Sequence, residues 1–180
     1  MKKVFLIGAA LMAAAGLTLA QDTEKAPMKK AGLTLHPEMT VGPDAGSYDK
    51  PLGTLGDKPA DPWTATTVAA GVNKTPEPGR VVTRTGEIID LSCYLQLGKH
   101  GEKHKACGSK CLQANQPIGL LTQDGNVFML MEEEHDPRRD GQTKFRQAAI
   151  EHFAQIMEVT GTETSHGGFK AIYVQGYVNK

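Results

Sequence analysis

Arg80-Val81-Val82-Thr83-Arg84-Thr85-Gly86-Glu87-Ile88-Ile89-Asp90-Leu91-Ser92-Cys93-Tyr94 is the stretch that decides the fold. β-Branched residues crowd both sides of a central glycine, a composition that suits a pleated strand. It reads as one long strand, Val81 to Tyr94, bent or bulged at Gly86, with Cys93 at its end. Upstream, from Gln21 to Gly79, the chain turns to Pro, Gly, Ala, Thr, Asp and Lys. Its apolar residues are too scattered to offset the entropy of ordering, so residues 21–79 read as a disordered linker or loosely wrapped arm. Trp63, the only tryptophan, is its candidate docking residue.

Downstream, the pattern alternates between strand and helix. A short polar helix is expected from Glu102 to Ala114, a second strand over Pro117-Ile118-Gly119-Leu120-Leu121, and a third from Val127 to Met131. Gln123-Asp124-Gly125-Asn126 supplies the hairpin turn between those strands. Glu132 to Asp140 changes from acidic to basic and reads as a solvated loop. Phe145, Ala148, Ala149, Phe153 and Ile156 recur at helical spacing and predict an amphipathic helix from Thr143 to Ile156. Glu158–Thr162 and Phe169–Val178 complete the set, as strands either side of a His166-Gly167-Gly168 turn.

Residues 80–180 are thus expected to form a mainly β domain with one or two helices. Five strands, with a helix before the last two, resemble the oligonucleotide/oligosaccharide-binding (OB) barrel, which curls its first strand to serve both sheets. Thr85 to Tyr94, the Cys/His residues after it and Pro117-Ile118-Gly119-Leu120 are similar to small exported bacterial barrel proteins of this OB-like kind. That resemblance implies a fold, and function has to be argued from the site.

Residues 1–20 carry the marks of an export signal: Lys2 and Lys3, an apolar run to Leu19, and Thr18-Leu19-Ala20 before Gln21. Cleavage after Ala20 leaves 18 basic against 20 acidic residues and a periplasmic or secreted bacterial protein, with no later apolar run long enough to span a membrane. The full chain of 180 residues is formally neutral. It lacks the basic footprint that phosphate backbones require, so nucleic acid is not an expected partner.

All three cysteines, Cys93, Cys107 and Cys111, fall within nineteen residues, together with His100 and His104. On the expected helix, His104, Cys107 and Cys111 are spaced to share a face, with Cys93 or His100 completing a shell. Thiolates and imidazoles suit zinc or copper(I) rather than calcium or magnesium. The leading expectation is therefore a nonenzymatic exported protein binding one of those metals through Cys93, His100, His104, Cys107 and Cys111, with metal handling or the assembly of an electron-transfer complex as its expected setting. The alternative is an interaction module stapled by a disulfide from Cys93, joining a cell-envelope complex through the 21–79 arm. A thiol–disulfide redox protein is third. Weaker candidates have plainer explanations: His135 as a solvated loop residue, Glu87 and Asp90 on opposite faces of a strand, Met129 and Met131 as core filler, Tyr173 and Tyr177 in cross-strand packing.

Overall fold

The computed structural model describes residues 40–59, 79–132 and 142–177. The export signal, Trp63, His135, Val178 and the remainder of the arm lie outside the described residues. The strands are β1 (Thr54–Leu55), β2 (Arg80–Asp90), β3 (Ile118–Thr122), β4 (Val127–Glu132), β5 (Ile156–His166) and β6 (Phe169–Val174). The helices are α1 (Leu91–Leu97), α2 (Lys105–Gln113) and α3 (Lys144–Glu151), and a 3₁₀ turn at Glu102–His104 leads into α2.

Strands run in the order β5-β2-β3-β4-β6, and β6 returns to pair with β5, closing a five-stranded barrel. The pairing of β4 with β6 is parallel; the other pairings around the barrel are antiparallel. The expected OB-like, mainly β architecture is therefore present. β2 makes closure possible by serving two neighbours along different halves. Residues 80–87 pair with β5 and residues 86–90 with β3, overlapping at Gly86 and Glu87. Both registers are unbroken, so the strand curls without a bulge. A Cβ at Gly86 would lie 2.7 Å from the Leu121 carbonyl oxygen and 2.8 Å from Leu120 Cγ, a closeness that glycine alone tolerates.

β2 also stops earlier than its composition suggests. The expected strand to Tyr94 ends at Asp90, and Leu91–Leu97 is helical. The cause is an N-cap: Asp90 Oδ1 accepts from the backbone N–H of Ser92 at 2.9 Å and of Cys93 at 3.3 Å. Gly98, at φ 65°, ends the helix, with its N–H donating to the Tyr94 carbonyl at 2.8 Å. Cys93 therefore sits in the first turn of α1 instead of ending a strand.

The late helix is shorter than expected. Thr143 caps α3 by accepting from Arg146 N, and the chain leaves the helix after Glu151, turning through Ala154 at φ 60°. The apolar stripe continues beyond the helix: Phe153 is buried in the turn and Ile156 opens β5. Phe145, Ala149 and Phe153 meet Ile88, Leu112, Leu120 and Phe128 in one core. In β4 the inward positions are Phe128 and Leu130. Met129 and Met131, expected as core filler, lie half-buried on the other face, as strand alternation requires once Phe128 points inward.

Residues 40–59, within the stretch expected to be an arm, lie along the barrel. β1 pairs in parallel with Glu158 and Val159 of β5. Leu52 N donates to the Ile156 carbonyl, Ile156 N to the Ala45 carbonyl and Glu102 N to the Thr40 carbonyl. Ala45 and Leu55 are buried. Backbone pairing and two small apolar anchors thus hold a segment that has no periodic hydrophobic pattern.

Candidate metal centre

The site lies where β2 gives way to α1, beneath the C-terminal end of α2. α2 turns its Gly108 and Leu112 side inward, and a Cβ at Gly108 would collide with the Phe153 ring, so the missing side chain lets the helix sit down on the core. Arg146 of α3 fixes the far end of α2: its Nη1 donates to the carbonyls of Leu112 at 3.1 Å and Gln116 at 2.8 Å, supplying positive charge where helical carbonyls are exposed. α1 is tied to the same end. Leu91 N donates to the Pro117 carbonyl, and Ser92 Oγ to Gln116 Oε1 at 2.7 Å.

These ties bring Cys93 of α1 beside Cys111 of α2. The two sulfurs and a carboxylate oxygen of Asp90 all lie within 4.8 Å of one another. Asp90 is completely buried, and while Oδ1 caps α1, Oδ2 has no hydrogen-bond partner among the described residues. The thiols of Cys93 and Cys111 that face this buried carboxylate are weak donors and match a buried charge poorly, which a cation would do better.

The carboxylate marks its surroundings electrostatically. Burial, then a hydrogen bond to Asp90 and its charge, pushes the Cys93 thiol from 9.0 up to about 12. Burial and the same carboxylate raise Cys111 as well, with a smaller repulsion from Cys107. Without a bound cation, both thiols keep their protons at neutral pH.

Of the five residues expected as ligands, the structure gathers Cys93 and Cys111 into this group. Cys107 is exposed, one turn before Cys111 on α2. His100 is engaged with Glu87, whose Oε2 lies 2.8 Å from His100 Nδ1 and whose Oε1 accepts from Gly101 N at 2.6 Å. The Tyr94 ring meets His100 edge-on at 5.8 Å. Burial and the charge of Glu87 raise the phenols of Tyr48 and Tyr94. His104 is a buried residue at the start of α2, edge-on to Phe153 at 5.9 Å. All three cysteines are free, so the expected disulfide staple is absent. Asp90 is the member that the sequence reading missed; its signal was an Asp-x-Ser-Cys run that caps a helix.

At the other end of β2 lies a groove of about 800 Å³, lined by Arg80, Arg84, Phe128 and Lys170 among others. Its cations have partners: Arg80 and Arg84 both reach Glu163, and Lys170 Nζ donates to Asn126 Oδ1 at 2.7 Å. Burial favours the protonated form of Glu163, but hydrogen bonds and charge from Arg84 and Arg80 outweigh it and hold its carboxyl below the ordinary range.

Comparison with known protein families, curated proteins and solved structures found no match to this chain. Among the described residues, no helix is long and apolar enough to cross a membrane.

Proposed function

We propose that this is an exported, nonenzymatic protein that binds a thiophilic metal ion through Asp90, Cys93 and Cys111. The carrying observation is the buried Asp90 carboxylate, whose Oδ2 makes no hydrogen bond of ordinary geometry and is faced by weakly donating thiols, in a group whose donor atoms lie within 4.8 Å. A cation there would satisfy the carboxylate and replace the two thiol protons in one step. Two sulfurs and a carboxylate oxygen favour zinc over copper(I), because copper(I) prefers an all-soft shell while zinc accepts sulfur and oxygen together. A fourth position is left for water. A catalytic thiol–disulfide role fits less well, since a thiol pushed up to about 12 supplies almost no thiolate nucleophile at neutral pH.

The test is metal titration of the reduced protein, with cobalt(II) as a spectroscopic substitute for zinc. One equivalent is expected to bind with thiolate-to-cobalt charge transfer. Cys93→Ser and Cys111→Ser should abolish that band, and His100→Gln should leave it in place. Failure of the reduced protein to bind zinc, copper(I) or cobalt(II) stoichiometrically would end this reading.

A further inference from the structure

We infer that Cys93 and Cys111 form a selective oxidation site whose closure into a disulfide excludes metal and leaves Cys107 as the remaining thiol. The exclusion of metal rests on the proposed function; the choice of partners does not.

Geometry makes the choice. Cys93 and Cys111 lie on different helices with their sulfurs within 4.8 Å, so modest rotation of the side chains and of α1 can bring them to bonding distance. α1 has only seven residues and ends at a left-handed glycine, Gly98, after which a connection at 98–101 leads to the 3₁₀ turn. Cys107 and Cys111, by contrast, belong to one continuous helix. Their side chains project along the same face, and bridging them would distort the helix to meet disulfide torsions. Cys107 is also the exposed thiol of the three, leaving it available to external reagents after the inner pair has closed.

The oxidant is a small-molecule disulfide, RSSR. One cysteine, through the small fraction ionised at any moment, attacks RSSR slowly as its thiolate, forming a mixed disulfide and expelling RS⁻. The other attacks the protein-side sulfur of that bond and expels a second RS⁻. The two cysteines lose two protons and two electrons in all; the electrons reduce RSSR, and the protons yield two RSH. The product has lost both thiolate donors, leaving Asp90 alone, which is too small a shell for zinc. Bound zinc and the disulfide are therefore alternative occupants of one place, and zinc protects the pair from oxidation.

The experiment uses the full chain, reduced and metal-free, incubated with oxidised glutathione and then alkylated and mapped by mass spectrometry. A Cys93–Cys111 crosslink with Cys107 alkylated is expected, and prior loading with zinc should suppress it. Cys107→Ser should crosslink in the same way. A predominant Cys93–Cys107 or Cys107–Cys111 bond, or glutathione caps without an internal crosslink, would overturn the pairing. Zinc that stays bound after crosslinking would overturn the exclusion. If the crosslink forms but the reduced protein binds none of zinc, copper(I) and cobalt(II), the oxidation site stands, the proposed function fails, and the exclusion is refuted with it.

Discussion

Asp90→Asn separates the two roles of the carboxylate, because it moves two measurements in opposite senses. Asparagine is as good an N-cap as aspartate, so α1 should persist. In the metal-free protein, Cys93 loses the neighbouring charge while its burial remains. Its titration should fall from about 12 by roughly one to two pH units, read from thiolate ultraviolet absorbance. That change alone makes the thiols easier to deprotonate and would strengthen metal binding by about 1.4 kcal/mol per thiol for each pH unit. The lost attraction is larger. Even at 4.8 Å, the bound on the spacing of the donor atoms and farther than a ligand oxygen would sit from a bound ion, a unit charge and a divalent ion interact by about 7 kcal/mol at an effective dielectric near 20, so this is a floor. Against about 1.4–2.8 kcal/mol regained at Cys93 and a further gain of the same sign at Cys111, the lost attraction dominates, and zinc affinity should fall roughly a hundredfold or more. Competition against a chromophoric chelator measures it. A variant with lowered thiol titration but unchanged or tighter zinc binding would show that Asp90 is only a neighbour and refute its role as a ligand.

The raised thiols also set an alkaline limit on the metal-free protein. Between about pH 9 and 12 the unfolded chain has released protons that Cys93 keeps when folded, so stability falls as pH rises, by at most about 1.4 kcal/mol per pH unit for that thiol; urea melts across the range check this. Glu163 behaves oppositely: its depressed carboxyl contributes stability at neutral pH that is lost as pH falls through its folded value, and Glu163→Gln should flatten the acid limb of the same melts. Gly108→Ala should cost about 1–3 kcal/mol by driving a methyl group into Phe153 and lifting α2, lowering both melting temperature and zinc affinity; unchanged stability would show that α2 has room to spare.

The barrel was legible because its signals are local. Turn residues at 123–126, the helical stripe from Phe145 and the alternation through Ile172 and Val174 each report one element, and the closed order follows from fitting them together. Leu91 to Tyr94 misled because strand composition there is overruled by one side chain: Asp90 accepts two backbone bonds that a strand would not offer. The site was half legible for the same reason. Spacing correctly placed Cys107 and Cys111 one turn apart, but α1 is anchored at Gln116 and Pro117, so Cys93 meets the later cysteine. The carboxylate that joins the two sulfurs belongs to the strand-to-helix change that composition concealed. His100 and His104 have the right chemistry, but Glu87 engages one and the core takes in the other.

The parallel pairing of Thr54 and Leu55 with Glu158 and Val159 bears on how the molecule can be cut. On that side of β5 the pairing with β6 begins only at Thr162, so the short N-terminal stave caulks a seam that the other five leave ajar. A truncation starting near residue 80 would uncover hydrogen-bonding groups beside Val159 and invite a second copy to fill them. Residues 40–59 are thus expected to guard against self-association.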